Sequence, residues 1–301
     1  MIQVSRMEKA DIDAAAEILF DAFGVVYRQR GHVPPFPTRD SAAWLCRAYL
    51  DLDPEGCAVA WSGSDAVGVG FAHPRGAVTS IGPLASRPGA PAGVARALMA
   101  ELGRVASQSS SLRLFQDSFN PDSFGLYARL GYVVADVAPY LLTDKLTPPP
   151  APAISVRALR PDDMPAIERY DRARTVADRR RDLALLAASG SGLVASDPAG
   201  ETSPGGQGRI RGYLFYRPLP ARVVIGPGVA ESAETMADLV DGVAAALPGR
   251  AAVIRASAAA PSVLLRAFAR GFRVDHLGNL MVAGPYTPPP AQLYALFPES
   301  L

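Results

Sequence analysis

The spacing of apolar positions along this chain alternates between strand and helix periods. Residues 2–7 read as a strand, and residues 11–23 bring Ile12, Ala15, Ala16, Leu19 and Phe23 onto one face at helical spacing, with a second helix over residues 41–51. Three short apolar runs, residues 57–62, 67–74 and 77–86, are separated by turn residues and predict an antiparallel meander. A helix over residues 91–107 follows, buried along Val94, Leu98, Leu102 and Val105. Next come a strand at residues 112–117 and a helix that starts at Asn120, which suits an N-cap. The second half repeats the scheme. Residues 211–219 and 222–230 are paired strands, Met236, Leu239, Val240, Val243 and Leu247 form a helix stripe, and residues 252–257 and 261–272 supply a strand and a helix. This succession predicts an α/β fold of the α+β kind, with mixed, mainly antiparallel sheets flanked by helices.

The halves also match in detail. SIGPLASRP at residues 80–88 corresponds to VIGPGVAES at 224–232, and FNPDSFGLYARLGY at 119–132 to PSVLLRAFARGF at 261–272. The starts, IQVSRMEKAD from Ile2 and ISVRALRPDD from Ile154, align as well. A repeat of this size predicts two like-folded domains rather than a solenoid. TPPPAPA at residues 147–153 reads as a semi-rigid polyproline II spacer. The expected division is a domain over residues 1–146, a linker over 147–153, and a second domain over 154–301. The polar tract at residues 200–209 is expected to be a flexible connection. The last residues are expected to pack back through Leu293, Tyr294, Leu296 and Phe297.

Composition narrows the function classes. With 301 residues, 49% hydrophobic, the chain can bury two ordinary cores. A net charge of +1 with 20% charged residues provides no field to recruit nucleic acid or an anionic membrane. The basic run at residues 169–182 mixes Asp among its arginines and reads as a solvated helix face. Cys46 and Cys57 lack the density of a disulfide scaffold and are expected to be reduced and buried. His32, His73 and His276 lack metal-ligand spacing, so no metal is predicted. With no basic leader before an apolar stretch, and no run of about 20 apolar residues, the expected location is cytoplasmic.

The pattern Asn120, Ser123, Tyr127, Gly131, Tyr132 resembles the last conserved motif of the GNAT superfamily of acyl-CoA-dependent N-acyltransferases. The resemblance covers nearly the whole chain and implies two tandem GNAT-like domains. It implies that acetyl-CoA or another acyl-CoA is the co-substrate, with its pantetheine arm along Leu84, Ala85 and Ser86. A backbone N–H there would polarise the thioester carbonyl. Tyr127 would protonate the leaving thiolate, and Asn120 and Ser123 would orient the pantetheine end. An amine would attack directly, so no Cys or Ser nucleophile is needed.

The pyrophosphate would sit at the loop RPGAPAGVARALM, residues 87–99, through Gly93, Val94, Ala95 and Arg96. This loop departs from the family pattern. Ala90 or Pro91 stands where Arg or Gln is usual, the loop is one residue short, and Pro91 lacks an N–H. Arg87 or Arg96 could supply charge instead. Three general bases remain open: Asp117 first, His73 second, and a water chain to bulk third. On the acceptor side the resemblance points to Tyr27, Arg28, His32 and Phe36, around the Pro-rich loop at residues 28–40. That loop also reads as a surface segment pinned by Phe36.

In the second copy Ala260 and Ala267 replace Asn120 and Tyr127, and Glu231 and Glu234 stand where a pyrophosphate would bind. It reads as a degenerate domain that forms a cleft wall or docking surface. The resulting expectation is an N-acyltransferase, acetyl-CoA to a primary amine, active in the first domain only. The acceptor class is a small-molecule or peptide amine. The alternative is a non-catalytic acyl-CoA sensor or interaction module.

Overall fold

The computed structural model describes residues 1–151, 156–189, 191–197 and 208–294. Ile154 at the start of the second copy, residues 200–207 of the polar tract, and Leu296 and Phe297 of the tail lie outside the described residues.

The chain clusters into two compact units. The first comprises Met1–Val133 and Met281–Pro285. Its strands are β1 (Ile2–Arg6), β2 (Cys57–Ser62), β3 (Asp65–Arg75), β4 (Val78–Ser86) and β5 (Ser111–Asp117), in that order across the sheet. All these neighbours are antiparallel except β4 and β5, which run parallel. Residues 281–283 follow β5 at the end of this order.

Four helices cover the first unit: α1 (Ile12–Gln29), α2 (Arg39–Leu52), α3 (Val94–Val105) and α4 (Pro121–Arg129). α2 begins at a reciprocal cap, in which the Thr38 side chain accepts from the Ser41 N–H while Ser41 Oγ accepts from the Thr38 N–H. α3 buries Val94, Leu98, Met99 and Leu102 in a core shared with Ala60, Leu114, Tyr127 and Met281. Gly68 makes this approach possible, since a methyl group there would lie 2.4 Å from Val94 Cγ1. Burying those four side chains contributes several kcal/mol, at about 1.5–3 kcal/mol for a large apolar residue.

Two helix boundaries differ from the periodicity reading. α1 runs through Gly24 to Gln29, because the Arg28 guanidinium lies over Gly24 and tertiary packing outweighs the glycine. Tyr27 and Arg28 are therefore helical rather than part of a loop. α3 starts at Val94 and not at Pro91, which sits in the preceding turn.

The second unit comprises Val134–Leu280 and Tyr286–Leu301. Its elements are β6 (Val133–Thr143, from Val134 onward), β7 (Val156–Ala158), α5 (Met164–Thr175), α6 (Arg180–Ser189), β8 (Ser191–Ser196), β9 (Ile210–Pro218) and β10 (Val223–Ala230). They continue with α7 (Ala233–Ala246), β11 (Ala252–Arg255), α8 (Pro261–Ala269), β12 (Arg273–Ala283, up to Leu280) and β13 (Ala291–Leu293). The strand order is β12-β6-β11-β10-β9-β8-β7, with β13 on β10.

The compact units divide elsewhere than at the Pro-rich stretch. β6 pairs with β11, from Tyr140 opposite Arg255 to Thr143 opposite Ala252. Leu146 N donates to Arg250 O, Thr147 N to Arg270 O, and Arg270 Nη1 to Pro148 O. Residues 146–148 are thus hydrogen-bonded into the second unit rather than spanning free.

The basic run is also not simply a solvated face. Arg179 is 1% exposed, its Nε donates to Asp171 Oδ2 at 3.0 Å, and its Nη2 donates to Tyr213 Oη at 2.9 Å. A buried guanidinium needs such a carboxylate. Both cysteines are free and buried, as expected. Among the described residues no helix is long and apolar enough to cross a membrane.

Candidate active site

β4 and β5 stay paired for a short distance only. The parallel register runs from Val78 opposite Ser111 to Ser80 opposite Arg113, and the strands then part. Between them lies a cavity of about 770 Å³, closed by α1 on one side and by the starts of α3 and α4 on the others. That is the size of an ordinary ligand site. At the parting, Gly82 takes a left-handed φ of 139°, and a methyl group there would meet nothing within 4 Å.

Leu84, Ala85 and Ser86 line the cavity along β4. Their other edge is held by β3, with Gly70 opposite Leu84 and Gly68 opposite Ser86. The cavity reaches the N-terminus of α3, where Gly93, Ala95 and Arg96 line it. Gly93 is the N-cap, with φ 96° and no side chain over the helix end. The first N–H groups of α3 thus carry no capping side chain, and the positive end of the helix dipole favours an anion there. Pro91 does not line the cavity and precedes the helix, so its missing N–H is not taken from this set. Arg96 lines the site with no ion pair among the described residues. Arg87 is engaged elsewhere, donating to Ala66 O at 3.1 Å and to Glu17 at 3.3 Å.

Asp117, Asn120, Ser123 and Tyr127 line the same cavity. Asn120 caps α4, its Oδ1 accepting from the Ser123 N–H at 3.3 Å. Ser123 Oγ in turn donates to Asn120 O at 3.0 Å. The buried Gln116 amide ties the turn together, donating to Asp117 O, Asn120 O and Ser123 Oγ at 2.5, 2.7 and 3.1 Å. Gln116 lines the cavity and is not among the expected site residues; in SLRLFQD it stands beside Ser111, Arg113 and Asp117, so its polarity alone does not single it out.

Tyr127 is 7% exposed, and its hydroxyl has no hydrogen bond among the described residues. Tyr127 lines the cavity, whereas the Tyr132 hydroxyl is buried without a partner. Burial, and then the negative charge of Asp117, push the Tyr127 phenol up to about 12. It is a neutral donor throughout the physiological range. Tyr27 lines the same cavity and donates to Asp117 Oδ2 at 2.6 Å.

Other expected residues are placed elsewhere. Val94 points into the core at 2% exposure. Arg28 lies over Gly24, His32 stacks on Phe119 at 4.6 Å, and Phe36 packs edge-on against Phe23 at 5.5 Å. None of these four lines the cavity, although Phe36 and His32 belong to the aromatic cluster behind Phe23 and Tyr27. His73, the second candidate base, is wholly buried, with Nδ1 2.7 Å from Asp53 Oδ2 and Nε2 sealed without a partner. It does not line the cavity and belongs to an ion-pair cluster with Asp53 and Arg75. In the second unit α8 has Ala260 at its N-cap with no side-chain cap, and Ala267 is fully buried.

No family model matches the sequence, and no curated protein does either. Solved structures do match over nearly the whole length. A putative acetyltransferase from Pyrococcus horikoshii superposes with a TM-score of 0.74 at 16% identity, covering 97% of this chain and 92% of that one. A tandem GNAT protein from the clavulanic acid biosynthesis pathway superposes at 0.60 and 15% identity, covering 95% and 100%. The chain has the tandem GNAT fold. A GCN5-related N-acetyltransferase from Sphaerobacter thermophilus is similar in the same way, at 0.64 and 15% identity, covering 95% and 97%. Within the tandem GNAT fold, the cavity described above lies in the first unit, between β4 and β5.

Proposed function

We propose that the first unit is an acyl-CoA-dependent N-acyltransferase, transferring an acetyl group from acetyl-CoA to a primary amine of a small molecule or peptide. The observation that carries this reading is one cavity lined both by an uncapped helix N-terminus and by Tyr127 with Asp117. An acyl-CoA matches both features. Its phosphates suit the α3 N-terminus and Arg96, and the extended arm suits the parted edge of β4 along Leu84, Ala85 and Ser86. An acyl thioester supplies an activated carbonyl and a leaving sulfur.

The chain's residues do the rest. Asp117 is the base that takes the amine proton; it lines the cavity and is held by Tyr27. Tyr127 donates its hydroxyl proton to the departing sulfur. The two roles are coupled, because the Asp117 charge is one cause of the raised phenol pKa. Once Asp117 carries the amine proton that cause disappears, and Tyr127 becomes the better acid at the moment it must act. Asn120 and Ser123 lock each other across the first turn of α4. Their place in this scheme is to fix the wall that carries Tyr127, with the Asn120 amide left to face the arm.

Titration calorimetry with acetyl-CoA and a thiol-release assay across a panel of amines test this reading. One binding event per chain together with amine-dependent thiol release supports it. Binding with no release for any amine would leave the sensor, and no binding would remove acyl-CoA from the account.

A further inference from the structure

The two units share a turn in the strand that borders the cleft. Ile81-Gly82-Pro83 in β4 and Ile225-Gly226-Pro227 in β10 occupy equivalent places, and both glycines take a left-handed φ, 139° and 123°. Each strand pairs in parallel with its neighbour for three residues before this turn, Val78–Ser80 with Ser111–Arg113 and Val223–Ile225 with Ala252–Ile254. After the turn the units differ. In the first unit the strands part around the cavity. In the second, β13 fills the corresponding gap.

β13 is held on both edges by main chain. It runs antiparallel to β10, with Leu293 opposite Gly228, Gln292 opposite Val229 and Ala291 opposite Ala230. On its other side Leu293 bridges Ala256, and Tyr294 N donates to Arg255 O at 2.9 Å. The fit is close at the turn itself, where a methyl group on Gly226 would lie 2.6 Å from Tyr294 O. Leu293 is fully buried in one cluster with Ala260, Val263 and Ala267. Ala260 and Ala267 stand where the first unit has Asn120 and Tyr127, so the core cluster that holds Leu293 is apolar at both of those places. The tyrosine hydroxyl that follows donates to Asp136.

The far end of this cleft does not suit phosphate. Ser232 caps α7 through the Thr235 N–H, and Glu231 and Glu234 flank the helix start. What the cleft does offer is strand hydrogen bonding along two edges and a buried leucine position, which is recognition of an extended peptide.

We propose that the cleft of the second unit is a peptide-strand site, that residues 291–294 are its resident ligand, and that acyl-CoA does not enter it. The proposal does not depend on the chemistry of the first unit. The resident strand is tethered through Thr287, Pro288, Pro289 and Pro290, which raises its effective concentration over any free peptide.

The test is to place a specific protease site at residues 287–289 of the full-length chain, cleave it, and follow the released segment. A fluorescent synthetic peptide of residues 286–301 is then titrated by anisotropy, alongside the same peptide carrying Leu293→Asp. Expected are co-elution of the cut segment with the body, saturable one-to-one binding of the wild-type peptide once the resident segment has been exchanged out, and at least tenfold weaker binding of the variant. Acetyl-CoA should not compete. If removing the segment lowers the melting temperature, adding the wild-type peptide should restore it. The proposal is overturned if the body stays folded but rebinds no peptide, if a lowered melting temperature is not restored, if both peptides bind equally, or if acetyl-CoA displaces the segment.

Discussion

Tyr27, in the last turns of α1, donates a 2.6 Å hydrogen bond to Asp117 at the end of β5. The contact joins two walls of the cavity at the carboxylate assigned as base. Phe119 packs edge-on against the Tyr27 ring at 5.0 Å, so the ring keeps its place without its hydroxyl. Tyr27→Phe should therefore leave the fold intact and loosen the carboxylate alone. A hydrogen bond to a charged carboxylate contributes about 1.5–3 kcal/mol, so turnover should fall roughly ten- to a hundredfold. Calorimetry should show acetyl-CoA affinity unchanged; equal losses in affinity and turnover would move Tyr27 from positioning the base to binding the donor.

Tyr127→Phe removes the proposed acid while keeping the ring in the α3 core. Its hydroxyl makes no hydrogen bond among the described residues, so stability should hardly change. Turnover should drop by about 10²-fold or more, the usual scale of general acid catalysis, with acetyl-CoA affinity within about twofold. The wild-type phenol is held at about 12, so it gives no alkaline loss of rate between pH 7 and 10. A variant as active as wild type would exclude the acid role.

The legible parts of this molecule are local in sequence. Asn120 reads as an N-cap from the sequence, and in the fold it caps α4 by accepting from the N–H of Ser123, one helical turn away. Tyr27 and Asp117 are 90 positions apart, and no periodicity connects them. The expected helix ends with its apolar face at Phe23, whereas α1 continues through Gly24, which the Arg28 side chain covers, to Gln29. For a strand such as β6, a period of two states which face is buried and not which neighbour is paired. Its pairing with β11, rather than with its own half, was therefore out of reach. The same holds for β13, whose three residues carry too little pattern to reveal the cleft they fill.

Arg96 offers a test of the anion end. It sits in the first turn of α3 against the cavity, with no ion pair among the described residues. Arg96→Ala should weaken acetyl-CoA binding roughly five- to tenfold at low ionic strength, and the difference should shrink in 1 M salt, where charges are screened within about 3 Å. Turnover at saturating donor should stay the same. Arg87→Ala serves as a control, because Arg87 is committed to Ala66 and Glu17 and should not affect affinity. If Arg87 carries the effect and Arg96 does not, the phosphates lie on the other side of the turn.

Asp53 predicts how the first unit responds to acid. Burial by itself would raise its pKa, but hydrogen bonds from His73 and Arg75 and the electrostatic pull of both outweigh that and hold the carboxyl at about 2, against 3.8 for a free one. A depressed folded-state value means the carboxylate stabilises the fold at pH above about 4. That contribution is lost as pH falls from about 4 through about 2, where the folded form also takes up the proton. The shift corresponds to roughly 2 kcal/mol. Asp53→Asn removes the pH-dependent part and also leaves the buried Arg75 without its carboxylate, so it should destabilise by more than this at pH 7. Denaturant melts at pH 7, 4 and 2.5 should show the gap between wild type and variant narrowing as pH falls. A gap that stays constant with pH would mean that Asp53 acts only through packing.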